Sequence, residues 1–471
     1  MVVLTWALQR KVLRQLTMLS KSENRISFNQ IIKLTYPLIL SMLSFNAMVF
    51  VDRLYVAQYD LTQFAAMMPA SFIAIGFASI FTGIIGYISV FVAQYYGAGR
   101  YQDCVSSMWQ GIYASLIFAI FLLGVSPLAA SVFEIMGHTG KLLMYEVEYF
   151  YLITIAECIQ LFSTAFYSFY CGIGSTKMTM YVALLTNLVN IILAGVLVFG
   201  KFGMPELGMY GSGLAAIISC TVGLLCYLFL MRQTALIQQY KLLPNSRLHG
   251  QKLYSLLRYG LFAGVQSFVE TGYFSVFLLL IGAMGESNLA AVNVVFAMEA
   301  VFILPVNGMS TAIGIIASQE KGANRLGNIP EVLKKGMTLG LCFNIIILIA
   351  CNFFPEILIS IFHADTSNEQ RQFIQLATPL LRITSLWLVF DTIHLMIGTV
   401  LKSMGDTKFM MITYAIVPLL FYAIIPYLFC NLFSISLTWL WVSLVCYSVV
   451  MLLLMASRFL SGKWKEFNVI A

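Results

Sequence analysis

The sequence predicts an all-α polytopic membrane protein, with twelve transmembrane helices in two pseudo-symmetric six-helix bundles. Three observations predict it: scarce charge, apolar stretches recurring to the end of the chain, and an internal repeat. Of the 471 residues, 60% are hydrophobic and 10% charged. A soluble domain carries about 25% charged residues because its surface must face water. So few charges cannot clothe a water-facing surface of this size, and lipid must be the main solvent.

The apolar stretches are about 18 residues or longer, enough to cross roughly 30 Å of hydrocarbon. Lipid supplies no partner for backbone N–H and C=O groups, so each stretch must be a helix. The runs do not alternate apolar and polar residues, which excludes a β-barrel. Twelve spans are predicted, near 31–53, 62–93, 107–125, 147–170, 179–199, 210–231, 253–281, 288–318, 335–354, 372–400, 409–429 and 435–458. The domain boundaries that follow are a segment 1–27, a first bundle 28–232, a linker 233–252, a second bundle 253–460 and a tail 461–471. Pro69 and Pro305 fall inside two long spans, where proline removes a helical hydrogen bond.

Basic residues crowd the tails and the connections after even-numbered spans, among them Arg10, Lys11, Arg14, Arg232, Lys241, Arg247, Lys321, Arg325, Lys334 and Lys335. The opposite face offers Arg53, Lys141, Lys201 and Arg371. The positive-inside rule then places both termini in the cytoplasm. The net charge of +7 is thereby a topology signal, which argues against nucleic acid as a partner. Residues 1–25 mix apolar and basic side chains without the order of a signal peptide. They read as an interfacial helix, or as an over-extended start with Met18 as the true initiator. The nine cysteines are scattered singly and form neither a metal-ligand spacing nor a disulfide framework.

The halves superpose with a shift of 225 residues. Gln94, Gly97, Ala98 and Arg100 of QYYGAGR fall on Gln319, Gly322, Ala323 and Arg325 of QEKGANR. In the same register Gly83 falls on Gly308 and Gly111 on Gly336. A shift of 231 places Gly174, Thr176 and Lys177 on Gly405, Thr407 and Lys408. This is a duplicated six-span unit. Six is even, so both copies enter from one side and are related by an axis along the membrane normal, a design common among transporters. A channel or scaffold can share that architecture.

An ionisable group at the centre of a span costs about 2.5–3.5 kcal/mol on insertion scales and ordinarily faces a cavity or a partner. Asp52, Glu157, Glu270, Glu299 and Asp391 are such acids, and His394 follows Asp391 by one turn on the same face. Asp52 reads equally as an interfacial pair with Arg53. Glu157 is placed about five or six residues from the outer surface of its span, where solvation by water competes with a functional role. Glu270 and Asp391 are deep and lack a basic neighbour in sequence, which favours function over a structural hydrogen bond. Glu299 is deep but otherwise unsupported, and His394 reads as a hydrogen-bonding partner before a proton carrier. Carboxylates can ligate a hard cation or carry a proton, and either role couples an ion gradient to bundle motion. The sequence has no phosphate-cradling GxxxxGK[ST] and no nucleophile–base pair, which argues against ATP as energy source and against an enzyme.

The run GIGSTKMTMYVALLTNLVNIILAGVLVFGKFGMPELGMYGSG (172–213) resembles the fifth-span region of multidrug and toxic compound extrusion (MATE) transporters. FVDRLYVAQ (50–58) and LAAVNVVFAMEAVFILPVNGMSTA (289–312) resemble their first and eighth spans. The resemblance covers about residues 28–460 and implies antiport, in which inward Na⁺ or H⁺ drives export of organic, often cationic, compounds. In the NorM-like branch it implies a cation-coupling site, for Na⁺ or H⁺, at Glu270 in SFVETG and Asp391 in VFDTIH. Asn190 and Asp52 match a fifth-span Asn and a first-span Asp of the same branch. His394, Glu299 and Asn293 are accessory candidates. The chain departs from the pattern at Ala194, where relatives often carry Asp or Asn, and at Val292-Asn293, which replaces a His-Gln pair. Trp387 stands where a tyrosine is expected, and Glu299 where relatives usually have a small residue.

The expected protein is therefore a monomeric secondary antiporter of a bacterial inner membrane. It works on small organic substrates in a lipid bilayer, with no nucleic acid, obligate protein partner or cofactor beyond the coupling ion. The rival readings are a lipid-linked oligosaccharide flippase, an ion channel and, last, a membrane-embedded enzyme.

Overall fold

The computed structural model describes residues 26–232, 247–282, 284–361, 368–429 and 436–470. Among them, twelve helices are long and apolar enough to cross a membrane. The first six are Phe28–Tyr59, Leu61–Gly97, Tyr101–Ile135, Gly140–Gly172, Thr176–Val198 and Met209–Met231. The second six are Gly250–Gly282, Asn288–Gly322, Leu326–Phe353, Phe373–Met404, Thr407–Leu428 and Leu437–Leu460. The segment before residue 26 and most of the linker, Lys241 included, lie outside the described residues.

Every predicted span has its helix, and most helices run past the apolar core. Polar caps explain the extension. Ser27 begins the first span by accepting the Asn29 N–H, while Gln30 Oε1 accepts the Ser27 N–H at 3.0 Å. Asp60 Oδ1 accepts the N–H groups of Thr62 and Gln63 at 2.7 and 2.9 Å and opens the second span. The second span is broken at Tyr87 into Leu61–Gly86 and Ile88–Gly97. In the eleventh span, Leu419–Ile424 form a π-helical turn directly after Pro418.

Within the first bundle the fourth span packs against the second, third and sixth, and the fifth lies between the first and sixth. The second bundle repeats this, with the tenth span against the eighth, ninth and twelfth. The two bundles meet through the second and seventh spans and through the eighth with the first and second.

Their seam is tightest at the end that carries Arg100, Lys252, Lys321 and Lys335, hereafter the basic end. There Gly97 packs on the backbone of Gln319, and Gly322 packs on the backbone of Gln94. A Cβ at either glycine would collide with the carbonyl oxygen it faces, so only glycine permits the approach. The glutamines of the same repeats bind across the seam. Gln94 Nε2 donates to the Ser403 carbonyl and Gln319 Nε2 to the Gly172 carbonyl, each at 2.8 Å. Positions 94 and 319 are related by the shift of 225, and 172 and 403 by the shift of 231. The duplication has thus produced two copies of one contact around a pseudo-twofold axis.

Nearby, Tyr87 donates its O–H to the Lys402 carbonyl at 3.0 Å, and Gly83 faces Gly264. The tail closes over this end. Lys321 Nζ donates to the carbonyls of Met404 and Phe467 at 2.6 and 2.7 Å, and Arg100 reaches the Ile470 carbonyl. Trp464 is buried and stacks on Phe459. Lys335 donates to the Ile26 carbonyl.

Gly97→Leu is expected to lower the stability of detergent-purified protein by about 1–3 kcal/mol, the usual cost of an overpacked contact. Gly86→Ala, where an added Cβ meets nothing within 4 Å, leaves it unchanged or raised. Thermal unfolding of both variants beside the parent chain checks this.

Candidate functional site

The acids predicted inside the spans fall into two groups, one per bundle. In the second bundle, Asp391 Oδ1 receives a hydrogen bond from His394 Nε2 at 2.7 Å, the one-turn pairing the sequence predicts. His394 is 1% exposed, and its Nδ1 has no hydrogen-bond partner. Its ring lies between Tyr414 and Tyr447, with centroids 6.4 and 6.2 Å away. The imidazole is thus held on one side only, which fixes its orientation and leaves its second nitrogen uncommitted.

Glu270, on the seventh span, has one oxygen bound by Gln266 Nε2 at 2.9 Å, one helical turn earlier. Its side chain is accessible although it lies far from either helix end. It shares one helix face with the buried Ala263, Gln266 and Phe277, so its accessible side opens towards the interior, in the fields of Lys402, His394 and Asp391. Glu299 of the eighth span lies in the field of Asp391. Tyr422 is in the fields of Asp391, Glu299 and Glu270, and it belongs to the π-helical turn. Single π-turns inside α-helices often mark functional positions, because the extra residue re-aims side chains.

Three carboxyl groups, a half-committed histidine, tyrosines and Lys402 therefore share one interior region of the second bundle. Asn293 stands apart. It is exposed, and six residues from Glu299 put it on another face of the eighth span. Among the described residues no three of His, Cys, Asp and Glu converge to enclose a metal ion. Glu270 and Asp391 each have one oxygen engaged by a side chain, which leaves each a second acceptor oxygen.

In the first bundle, Asp52 Oδ2 accepts from Ser212 Oγ at 2.7 Å, and Tyr149 Oη lies 3.3 Å from the same Ser212 oxygen. Asp52 Oδ1 is buried without a partner. Arg53 acts on Asp52 only through its field, so Ser212 and not Arg53 is the hydrogen-bonding partner. Asn190 is 2% exposed; its Nδ2 donates to Ser219 Oγ at 3.3 Å and its Oδ1 has no partner. Ser212 and Ser219 are seven residues apart, so Asp52 and Asn190 address one face of the sixth span about 10 Å apart. Ala194 is wholly buried against Ala215 and Leu197, an apolar contact. Trp387 packs edge-on against Phe296 and leaves its indole N–H unpaired.

The structure thus joins Glu270 with Asp391, His394 and Glu299, and separately aligns Asp52 with Asn190. It does not bring all four cation-coupling candidates into one cluster. Glu157 departs from its expected place: the fourth span starts at Gly140, which puts this acid at mid-helix and not near a surface. Sequence reasoning missed Gln266, Lys402, Tyr149 and Ser212. Gln266 was findable from its i, i+4 spacing to Glu270. Lys402 lies near a span end and reads as a topology charge. Tyr149 and Ser212 meet Asp52 only through tertiary packing.

Twelve spans in two equivalent bundles, with ionisable side chains turned inward, define a membrane transport protein. The family model MatE matches residues 37–196 and 263–428, and the chain belongs to this MATE family of multidrug efflux transporters. It is 26% identical over 391 residues to a probable multidrug resistance protein NorM of Thermotoga maritima, covering 81% of each chain. A protein of the same name from Streptococcus pneumoniae is 24% identical, covering 80% of this chain and 82% of that one. Among solved structures, an outward-facing multidrug resistance MATE transporter of the MOP superfamily superposes with a TM-score of 0.81. That match has 16% identity and covers 94% of this chain and 97% of the other. A MOP superfamily transporter from Pyrococcus furiosus, described as having a binding pocket of reversed polarity, superposes with a TM-score of 0.80 at 17% identity. It covers 93% of this chain and 97% of that one.

Ser212→Ala removes the hydrogen bond that Asp52 accepts and leaves its carboxyl without one. A loss of about 1–3 kcal/mol of stability is expected, measured by thermal unfolding at neutral pH. Ser212→Thr, which keeps the hydroxyl, restores most of it.

Proposed function

We propose that this chain is a secondary antiporter that exports small organic cations in exchange for Na⁺ or H⁺. The observation that carries the reading is the cluster of Glu270, Asp391 and Glu299 in an interior opening of the second bundle, with His394 bound to Asp391. Three acids in one low-dielectric region repel one another, so a cation or proton bound there stabilises the bundle in its loaded form. Occupancy of the cluster is thereby linked to conformation, which is what coupling requires. Glu270 and Asp391 hold the coupling ion; His394 orients Asp391, and Glu299 adds negative charge. Asp52 and Asn190 act in the other bundle. The ion is a co-substrate, and no further cofactor is needed.

The bundles rock about their seam. The paired glycine contacts and the reciprocal glutamine bonds are the closure that must open when the basic end is exposed. The excess of Lys and Arg at this end supports placing it, with both termini, in the cytoplasm of a bacterial cell. One chain contains both bundles, which supports a monomer as the working unit. A flippase for a lipid-linked pyrophosphate would want a cationic cavity. Lys402, the cation acting on this cluster, is answered by Glu270, which counts against that reading.

The test is efflux of ethidium from proteoliposomes under an imposed Na⁺ or H⁺ gradient. The parent chain should export under one gradient only, and that gradient names the ion. Glu270→Gln and Asp391→Asn should each lower the gradient-driven rate by about two orders of magnitude, within the range for removing a group essential to a step. Export that is equal with and without any gradient would contradict antiport.

A further inference from the structure

Glu157 stands in the middle of the fourth span, 17 residues from Gly140 and 15 from Gly172. At 1.5 Å per residue these are about 25 and 22 Å of helix, so neither aqueous face is near. Its carboxyl has no hydrogen-bond or ion-pair partner among the described residues, and the side chain is only half-buried. Its side of the helix is mostly buried. Ile155, which is 39% exposed, lies two residues and about 200° away around the helix, whereas the buried Ile153, Leu161 and Thr164 share its side. An acid in this position faces the interior of the first bundle with nothing to answer its charge.

Two buried polar side chains of this bundle also carry an atom without a partner. Thr154, one turn earlier on the same side, is 4% exposed and its Oγ1 has no partner. Asn190 spends its N–H on Ser219, leaving Oδ1 buried and unpaired. Cys220, the residue after Ser219 on the sixth span, lies in the field of Glu157. The fourth span therefore brings an unpaired carboxyl and an unpaired hydroxyl, and the fifth an unpaired amide oxygen, to the depth marked by Ser219 and Cys220 of the sixth. Buried oxygens left unsatisfied are costly, and a ligand that donates hydrogen bonds would relieve all three. An N–H-bearing organic cation is such a donor, and its charge matches the carboxylate.

We propose that Glu157 is the anchor for an N–H group of the exported organic cation, in a binding site within the first bundle. Thr154 and Asn190 complete it. Ala194 leaves that level of the fifth span apolar, and Glu157 supplies a negative charge to this bundle from the fourth. Substrate and coupling ion would then occupy different bundles, so loading one can influence the other only through the seam. The inference rests on reading the chain as an exporter of organic cations, and equilibrium binding tests it without any gradient.

The experiment measures ethidium binding to purified full-length protein by fluorescence anisotropy. Glu157→Gln should weaken binding about ten- to hundredfold, the loss of one charge-assisted hydrogen bond. Glu157→Asp should stay within about threefold. Binding is read with no gradient imposed, so failure of the coupling reading leaves this result intact. Ethidium should also slow alkylation of Cys220 in the parent, read by peptide mass spectrometry, and should not do so in Glu157→Gln. Unchanged binding by Glu157→Gln, absent binding by the parent, or loss in both Glu157 variants together with their thermal transition would each overturn the proposal.

Discussion

A charged side chain in hydrocarbon must find a partner, a cavity or a ligand, and this constraint organises the molecule. The same scarcity of partners forces each span into a helix, whose backbone satisfies itself. What remains is a small set of ionisable groups that cannot face lipid. Asp391 has His394, Glu270 has Gln266 and Asp52 has Ser212, yet none of these bonds saturates its acid. The incomplete satisfaction concentrates inside the bundles. That is where a transporter must receive its cargo.

The duplication supplies the other half of the mechanism. Because one six-span unit occurs twice, any contact between the units near the pseudo-axis occurs twice as well. Gln94 and Gln319, with Gly97 and Gly322, are that contact. Two backbones meeting at glycines can separate freely, and the two glutamine hydrogen bonds register the closed form. The carboxyl-terminal segment adds Lys321, Phe467 and Ile470 to the same end. Rigid-body motion of two packed bundles about such a seam is the hinge-and-shear repertoire of domain movement.

Much of this was legible in the sequence. The spans were, because their signal is composition over many residues. Their ends were not, because Ser27, Asp60 and Gly140 extend helices by capping and turn geometry beyond the apolar core. That shortfall matters for Glu157: a start read at residue 147 and not Gly140 makes a mid-helix acid look superficial. Asp391 with His394 was legible because one helix carries both. Ser212 beside Asp52 was not, since 160 residues separate them and only the packing of the sixth span unites them. The separation of Asn190 and Asp52 from Glu270 and Asp391 was implicit in the repeat, as each pair belongs to its own half.

The central claim is that the two bundles move against one another about the seam at the basic end. Distances between spin labels at Gln102 and Gly327, exposed at that end of each bundle, and at Lys201 and Glu356, exposed at the other, measure this directly. In lipid nanodiscs, with the coupling ion and an organic cation varied, the account predicts reciprocal change. The pair at 102 and 327 should lengthen as the pair at 201 and 356 shortens, and Glu270→Gln with Asp391→Asn should remove the ion's influence on both. Two distances that stay fixed under every condition, in protein that still transports, would contradict it.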